Sequence, residues 1–409
     1  MPKKANSSLT SIDYTNNNEG NNRKEAKEEG SETNNQALLG EETEGKEVKK
    51  SLKNINLDKY LLKLQRVSLR DKIFFTKNLG VMIKAGLSLS QALTALAAQT
   101  PNKKFKKILE EVEQKVKKGE SFAESLKQYP KIFNDLFVSM IASGEVSGNL
   151  ENVLEQLHKQ MTRDHELISK VRGAMIYPAI VITAMIGIGA AMIIFVIPKF
   201  VSIFEEINTE LPLPTRMLIA LSHFITSNGP LVAISLIITI TVLVKIFRTK
   251  KGKIFLHKLF LKLPILSPIV EKINLARFSR TLSSLLKTDI PIVDAFNITA
   301  KVVGNIHYKN ALVAAAEKIK KGSRVHESLG KEKKLFPPVV IQMVTVGENS
   351  GSLDSILEEL ATFYEDEIDQ TMKNLPTIIE PILMLILGAG VAGMAMAVLM
   401  PMYSLTQSF

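Results

Sequence analysis

Two acidic residues sit in nearly the same company. Glu145 lies in Gly144-Glu145-Val146-Ser147-Gly148-Asn149-Leu150, and Glu348 lies in Gly347-Glu348-Asn349-Ser350-Gly351-Ser352-Leu353. Gly144 and Gly347 permit close helix approach, while Ser147-Gly148 and Ser350-Gly351 spell a turn unsuited to a helix interior. Asn149 is placed to cap a new helix with Leu150, Leu154 and Leu157 on its buried face. Each motif therefore reads as a helix–turn–helix corner. Its carboxylate either accepts a hydrogen bond across the corner or contacts a partner or a cation.

Other chemistry is hard to find. The chain has 409 residues and no cysteine, which excludes disulfides, thiolate metal sites and cysteine nucleophiles. Its six histidines, His158, His165, His223, His257, His307 and His326, are scattered and form no compact ligand set. Neither a phosphate-cradling G-x-x-x-x-G-K-[ST] nor a nucleophile elbow G-x-S-x-G occurs. Gly388-Ala389-Gly390-Val391-Ala392-Gly393 has the spelling of a dinucleotide loop, but it lies in an uncharged run and no acid follows it. It reads instead as small residues that let membrane helices approach closely. The expectation is a non-enzyme, with no metal and no cofactor.

The elements that position the corners follow from a repeat. Sliding the chain by about 203 residues superposes its halves without a gap. Gly119 falls on Gly322, Glu124-Ser125-Leu126 on Glu327-Ser328-Leu329, Phe133 on Phe336, Pro178 on Pro381 and Pro198 on Pro401. Each copy begins with apolar residues at three- and four-residue spacing (Ile73, Leu79, Val81, Met82, Ile83, Leu87 and onward), which predicts amphipathic helices. Pro101, Gly119, Pro130, Gly144 and Gly148 fall at expected breaks.

Three stretches carry no Asp, Glu, Lys or Arg: Gly173 to Pro198, Met217 to Val244 and Pro381 to Phe409. Each exceeds the roughly 20 apolar residues needed to cross a bilayer. The expected fold is an all-α integral membrane protein: two tandem-duplicated cytoplasmic helical bundles and three transmembrane helices. The expected organisation is a solvated, disordered tail at 1–57, a first helical domain at 58–172 and a first span at 173–198. A loop at 199–216, a second span at 217–244 and a second domain at 245–380 follow, then a last span at 381–403 and a short end at 404–409. The second span returns the chain so that both copies lie on one side.

Charge assigns that side. The two domains carry net +7 and +6, whereas the 199–216 loop and the tail each carry −1. The positive-inside bias makes the domains and the N-terminus cytoplasmic, with the loop and the C-terminus outside. The basic clusters at Lys103, Lys104, Lys106, Lys107 and at Lys115, Lys117, Lys118 lack the aromatic platforms of nucleic-acid binders. They suit anionic lipid headgroups, an acidic partner or water. No direct nucleic-acid contact is expected. A transporter or channel subunit is the competing class, because transporters also contain repeats, although the first and last spans hold no ionisable group.

The two corners, together with Phe278-Ser279-Arg280-Thr281-Leu282, Leu285-Leu286, Leu211-Pro212-Leu213-Pro214-Thr215-Arg216 and Leu263-Pro264-Ile265-Leu266, resemble a known family. These are the bacterial inner-membrane platform proteins shared by type IV pilus assembly and type II secretion, and the likeness runs from about Ser68 to Tyr403. It implies two six-helix domains, an inner-membrane location with a periplasmic C-terminus, and self-association. It also implies contacts with a cytoplasmic hexameric assembly ATPase, with inner-membrane alignment proteins, and with the pilin or pseudopilin subunits that the machine moves out of the membrane. On that view Pro178 and Pro381 are candidate hinges that pass motion from the domains to the spans. The sequence departs from the family pattern in its first 57 residues and at Asp289, which stands where Gly86 of the first copy predicts glycine.

Overall fold

The computed structural model describes residues 65–199 and 213–407. The tail expected at 1–57, most of the 199–216 loop and the last residues of the 404–409 end lie outside them. Every regular element among the described residues is helical.

Six helices build the first copy: α1 (Leu69–Lys84), α2 (Leu89–Gln99), α3 (Lys103–Lys117), α4 (Phe122–Lys127), α5 (Asp135–Ser147) and α6 (Leu150–Ala191). Their starts are written in the sequence. Ser68 with Asp71 and Ser88 with Gln91 form reciprocal capping boxes, and Asn102 and Asn134 cap α3 and α5. Among the described residues, three helices link the copies: α7 (Leu213–Ser227), α8 (Gly229–Arg248) and α9 (Lys250–Phe260). The second copy is α10 (Ser267–Leu286), α11 (Ile292–Val302), α12 (Ile306–Lys320), α13 (Val325–Gly330), α14 (Pro338–Ser350) and α15 (Leu353–Gln407). Helices α11 to α15 begin at the positions that a 203-residue shift of α2 to α6 gives.

The cores repeat as faithfully as the helices. Phe75, Phe105 and Phe133 are buried with ring centroids 5.6 to 6.3 Å apart. Their counterparts Phe278, Tyr308 and Phe336 are buried too, with Phe336 5.3 Å from Phe278 and 5.7 Å from Tyr308. Such edge-on aromatic pairs add about 0.5–1.5 kcal/mol to their burial. Asp289, the departure noted above, adopts φ 58°, the left-handed conformation that Gly86 holds at φ 88°. Asp tolerates this region better than most side chains, so the turn survives the substitution.

Among the described residues, three helices are long and apolar enough to cross a membrane: Leu150–Lys199, Gly229–Arg248 and Leu353–Met396. The first is 50 residues long, about 75 Å at 1.5 Å per residue, against a hydrocarbon layer of about 30 Å. Its first half packs on the domain through buried Leu154 and Leu157, and its second half is the apolar span. The boundaries expected at 172/173 and 380/381 thus fall inside continuous helices. Neither Pro178 nor Pro381 interrupts its helix. The irregularity in the first span is a π turn at Met192–Val196, where the hydroxyl of Ser222 in α7 donates to the Ile193 carbonyl at 2.7 Å.

Two expectations need correction. The run 217–244 is not one span, because the chain breaks at Asn228 before Gly229-Pro230, leaving α7 separate from the crossing helix α8. A proline at the first helical turns starts a helix rather than continuing one. Gly144 is not at a break: it lies within α5, and the helix ends at Gly148.

Candidate functional site

Each corner is built around two glycines with different tasks. Gly148 and Gly351 end α5 and α14 at φ 68° and 70°, which L side chains rarely adopt. Their N–H groups donate to the carbonyls of Gly144 and Gly347. Those carbonyls also accept from Asn149 at 2.9 Å and Ser352 at 3.0 Å. Gly144 and Gly347 face the following helix so closely that an added Cβ would meet Val153 Cγ2 at 2.8 Å or Leu353 Cα at 3.0 Å. Leu150 and Leu353 then pack against the core as α6 and α15 begin. Ser147 and Ser350 are the exposed last residues of their helices, and Ser350 donates to the Val346 carbonyl at 2.8 Å. Asn149 occupies the cap position of α6, but its side chain makes no capping bond there, contrary to expectation.

The two carboxylates occupy equivalent places. Glu145 accepts from the Phe122 N–H at 2.8 Å, the Ala123 N–H at 3.1 Å and the Ser121 hydroxyl at 2.8 Å. Glu348 accepts from the Val325 N–H at 2.7 Å and the His326 N–H at 3.2 Å, and its Oε2 lies 2.6 Å from His326 Nδ1. Each acid therefore caps the free N–H groups that open the short helix α4 or α13. The helix dipole favours negative charge at that end. Burial opposes ionisation of Glu348, but the hydrogen bonds from Val325 and His326 outweigh it and hold its pKa below the ordinary carboxylate value. Both acids are hydrogen-bonded, but to the start of α4 or α13 rather than across the corner that follows them. The signal that could have located the donors is their constant distance from the acid in both copies.

Sequence reasoning missed the seam between the copies. Gln160 of α6 is buried and donates to Thr281 Oγ1 at 3.2 Å while accepting from Ser284 Oγ at 3.3 Å, both on α10. Arg277 pairs with Asp164 at 3.0 Å, Lys170 with Asp369 at 3.0 Å and Lys301 with Asp135 at 2.8 Å. Ser143, beside the first corner, donates to the Thr288 carbonyl at 2.7 Å. Arg280, in the Phe-Ser-Arg-Thr-Leu motif, holds Glu365 through two bonds of 2.9 Å within the second copy. These bonds tie the first corner and both long helices into one framework.

The family model for type II secretion system protein F matches residues 75–198 and again 278–401, two segments offset by the same 203 residues. The type IV pilus assembly protein PilC of Myxococcus xanthus is 35% identical over 336 residues, 82% of this chain and 80% of that protein. Its namesake in Thermus thermophilus is 34% identical over 364 residues, 88% of each. The type II secretion system protein F of Pseudomonas aeruginosa is 31% identical over 341 residues, 83% of this chain and 84% of that one. With two tandem matches, one in each half, and likeness over most of its length, the chain belongs to the type II secretion protein F family, a family of helical membrane proteins that includes the PilC proteins.

Proposed function

We propose that this protein is the inner-membrane platform of a type IV pilus or type II secretion machine, coupling a cytoplasmic assembly ATPase to the extraction of pilin or pseudopilin subunits. One observation carries the reading beyond family membership. Each matched half ends in an unbroken helix that begins at a glycine corner in the domain core and continues into an apolar span. A force applied along either helix axis passes from the domain to its span, because a helix is stiff along its axis and both are anchored by buried leucines.

On this reading the +7 and +6 domains are cytoplasmic and offer the ATPase its surface. The Glu-capped corners fix the angle between each bundle and its long helix. Pro178 and Pro381 remove one backbone bond each and mark where those helices flex under load. Spans bearing Gly187, Gly390 and Gly393 give pilin helices a close-packing surface. The family match favours this over a transporter or channel subunit.

Co-purification tests it. The full chain, extracted in mild detergent from cells also expressing their assembly ATPase, should retain that ATPase. Deleting the chain should abolish fibres or secretion while leaving ATPase and pilin levels intact. Normal fibre assembly and secretion in the deletion strain would refute the platform reading.

A further inference from the structure

The crossing helix α8 has no length to spare. Its 20 residues extend about 30 Å at 1.5 Å per residue, which matches a hydrocarbon layer of about 30 Å. Lys245 and Arg248 in its last turn therefore lie at the headgroup level, and only Thr249 separates α8 from α9. The bend between the two helices is fixed. The Thr249 hydroxyl donates to the Ile246 carbonyl at 2.6 Å and accepts from the Gly252 N–H at 3.1 Å. Gly252 lies so close to the end of α8 that an added Cβ would meet the Ile246 carbonyl oxygen, with Phe247 Cα 2.9 Å away. The first turn of α9 is thus held against the end of a span.

The make-up of α9 suits a helix that lies in the membrane surface. Seven Lys or Arg residues fall between positions 245 and 262, and no Asp or Glu occurs between Glu210 and Glu271. Lys251, Phe255, Lys258 and Leu259 stand at i, i+4, i+7 and i+8, so they share one face of the helix. All four are exposed, Phe255 by 61%. Past the helix end, exposed Lys262, Leu263 and Ile265 continue the same mixture of cations and apolar groups. Long cationic side chains keep their charge at the headgroups while apolar neighbours enter the acyl boundary. Large apolar groups gathered on one rimmed face mark an interaction site, whereas scattered ones do not.

The other side of α9 is already engaged. His257, two residues from Phe255 and so about 160° around the helix, accepts the Ile306 N–H through Nδ1 at 3.0 Å. Its carbonyl accepts from the Asn305 side chain at 3.3 Å. Leu261 packs against the core, and its carbonyl accepts from the Ser267 hydroxyl at 2.8 Å. One face of α9 is therefore bound to the start of α12, and the opposite face is open. An acidic protein would match the charge of that open face as well as a lipid would. Position decides between them. The face begins beside the end of a span, where phospholipid headgroups are already present and a protein would have to displace them.

We propose that α9 is an interfacial helix: Phe255 and Leu259 enter the acyl boundary, and Lys251, Lys258 and Lys262 bind anionic phospholipid headgroups. Through His257 and Leu261 it then holds the start of α12, and with it the second domain, at the membrane surface. The inference rests on α8 as a membrane crossing and not on the platform reading.

The chain has no tryptophan, so a single introduced one reports its own surroundings. Phe255→Trp and, separately, Leu259→Trp are made in the full-length chain and reconstituted into phosphatidylcholine vesicles with or without phosphatidylglycerol. Each lipid mixture is prepared with ordinary and with brominated acyl chains. Val346→Trp, at an exposed position beside the corner that opens α15 and far from its span, is the water-facing reference. Brominated lipid should quench either α9 tryptophan at least threefold more than the reference. Adding Lys251→Gln, Lys258→Gln and Lys262→Gln to the F255W chain should lower quenching in the anionic vesicles about twofold, to its value in phosphatidylcholine alone. Arginine at the same three positions should restore it. Quenching by aqueous iodide but not by lipid would place the face in water and overturn the proposal. Shielding from both quenchers would show a protein cover and overturn it too. Lipid quenching indifferent to phosphatidylglycerol and to the glutamine changes would refute the headgroup contact.

Discussion

Glu145 accepts the backbone N–H of Phe122 at 2.8 Å, so the residue that opens α4 is capped by a carboxylate from the last turn of the next helix, α5. Glu348 does the same for Val325 at 2.7 Å. Alanine at either position strips the N–H groups of their acceptor and should cost about 0.5–2 kcal/mol, the range of a lost helix cap. Glutamine retains one acceptor oxygen and should cost less. Hydrogen exchange at Phe122 and Val325 reads this directly. The depressed pKa of Glu348 adds a sign: its contribution is present above the ordinary carboxylate value and lost as pH falls through the depressed one.

Gly144→Ala and Gly347→Ala should both destabilise the domains, because the new methyl sits at 2.8 Å from Val153 Cγ2 or 3.0 Å from Leu353 Cα. Overpacking of this kind costs about 1–3 kcal/mol. The helix propensity gained from alanine offsets about 0.5–1 kcal/mol of it. Gly187→Ala, with nothing within 4 Å of its added Cβ, is the control and should leave the domain unfolding temperature unchanged. Thermal unfolding of the purified proteins separates the cases.

His257 in α9 accepts the Ile306 N–H at 3.0 Å through Nδ1, which requires a neutral ring at that nitrogen. Burial lowers its pKa below 6.5, and the charges of His307 and Lys253 lower it further. The unfolded chain thus takes up a proton that the folded chain refuses. Its contribution is complete above pH 6.5 and disappears as pH falls through the depressed value. Protection of the Ile306 N–H, corrected for intrinsic exchange, should fall between pH 7.5 and pH 5. His257→Gln should flatten that dependence.

Asp289 holds φ 58° where its counterpart is Gly86. Glycine there relieves backbone strain of about 1–2 kcal/mol and adds about 0.5–1 kcal/mol of unfolded-chain entropy. Asp289→Gly should therefore raise stability by up to about 1 kcal/mol. Asp289→Val should lower it, since a β-branched side chain suits this conformation least. Calorimetric unfolding of both variants checks the order.

Much of this architecture was legible because duplication doubles every signal. A glycine at one position is ambiguous, but Gly148 and Gly351 at equivalent positions demand the same turn. The uncharged runs likewise announced spans. The break at Asn228 was obscured because α7 is as apolar as the helix that follows, and composition alone does not mark a boundary between two apolar helices. The acids were found, yet not their donors, because backbone N–H groups leave no trace in residue type. The seam was hidden for a related reason. Its polar members Gln160, Thr281 and Ser284 satisfy one another only once the copies meet, and their counterparts Phe363, Asn78 and Val81 differ in kind.

The account rests on both repeat domains lying on the cytoplasmic face with a return crossing between them. Single cysteines at Lys118 and at its counterpart Lys321, both exposed, and at Asn208 in the expected outer loop can be probed in spheroplasts with a membrane-impermeant maleimide. Labelling of Asn208→Cys alone in intact spheroplasts, and of all three after lysis, is the predicted result. Labelling of either Lys118→Cys or Lys321→Cys before lysis would contradict it.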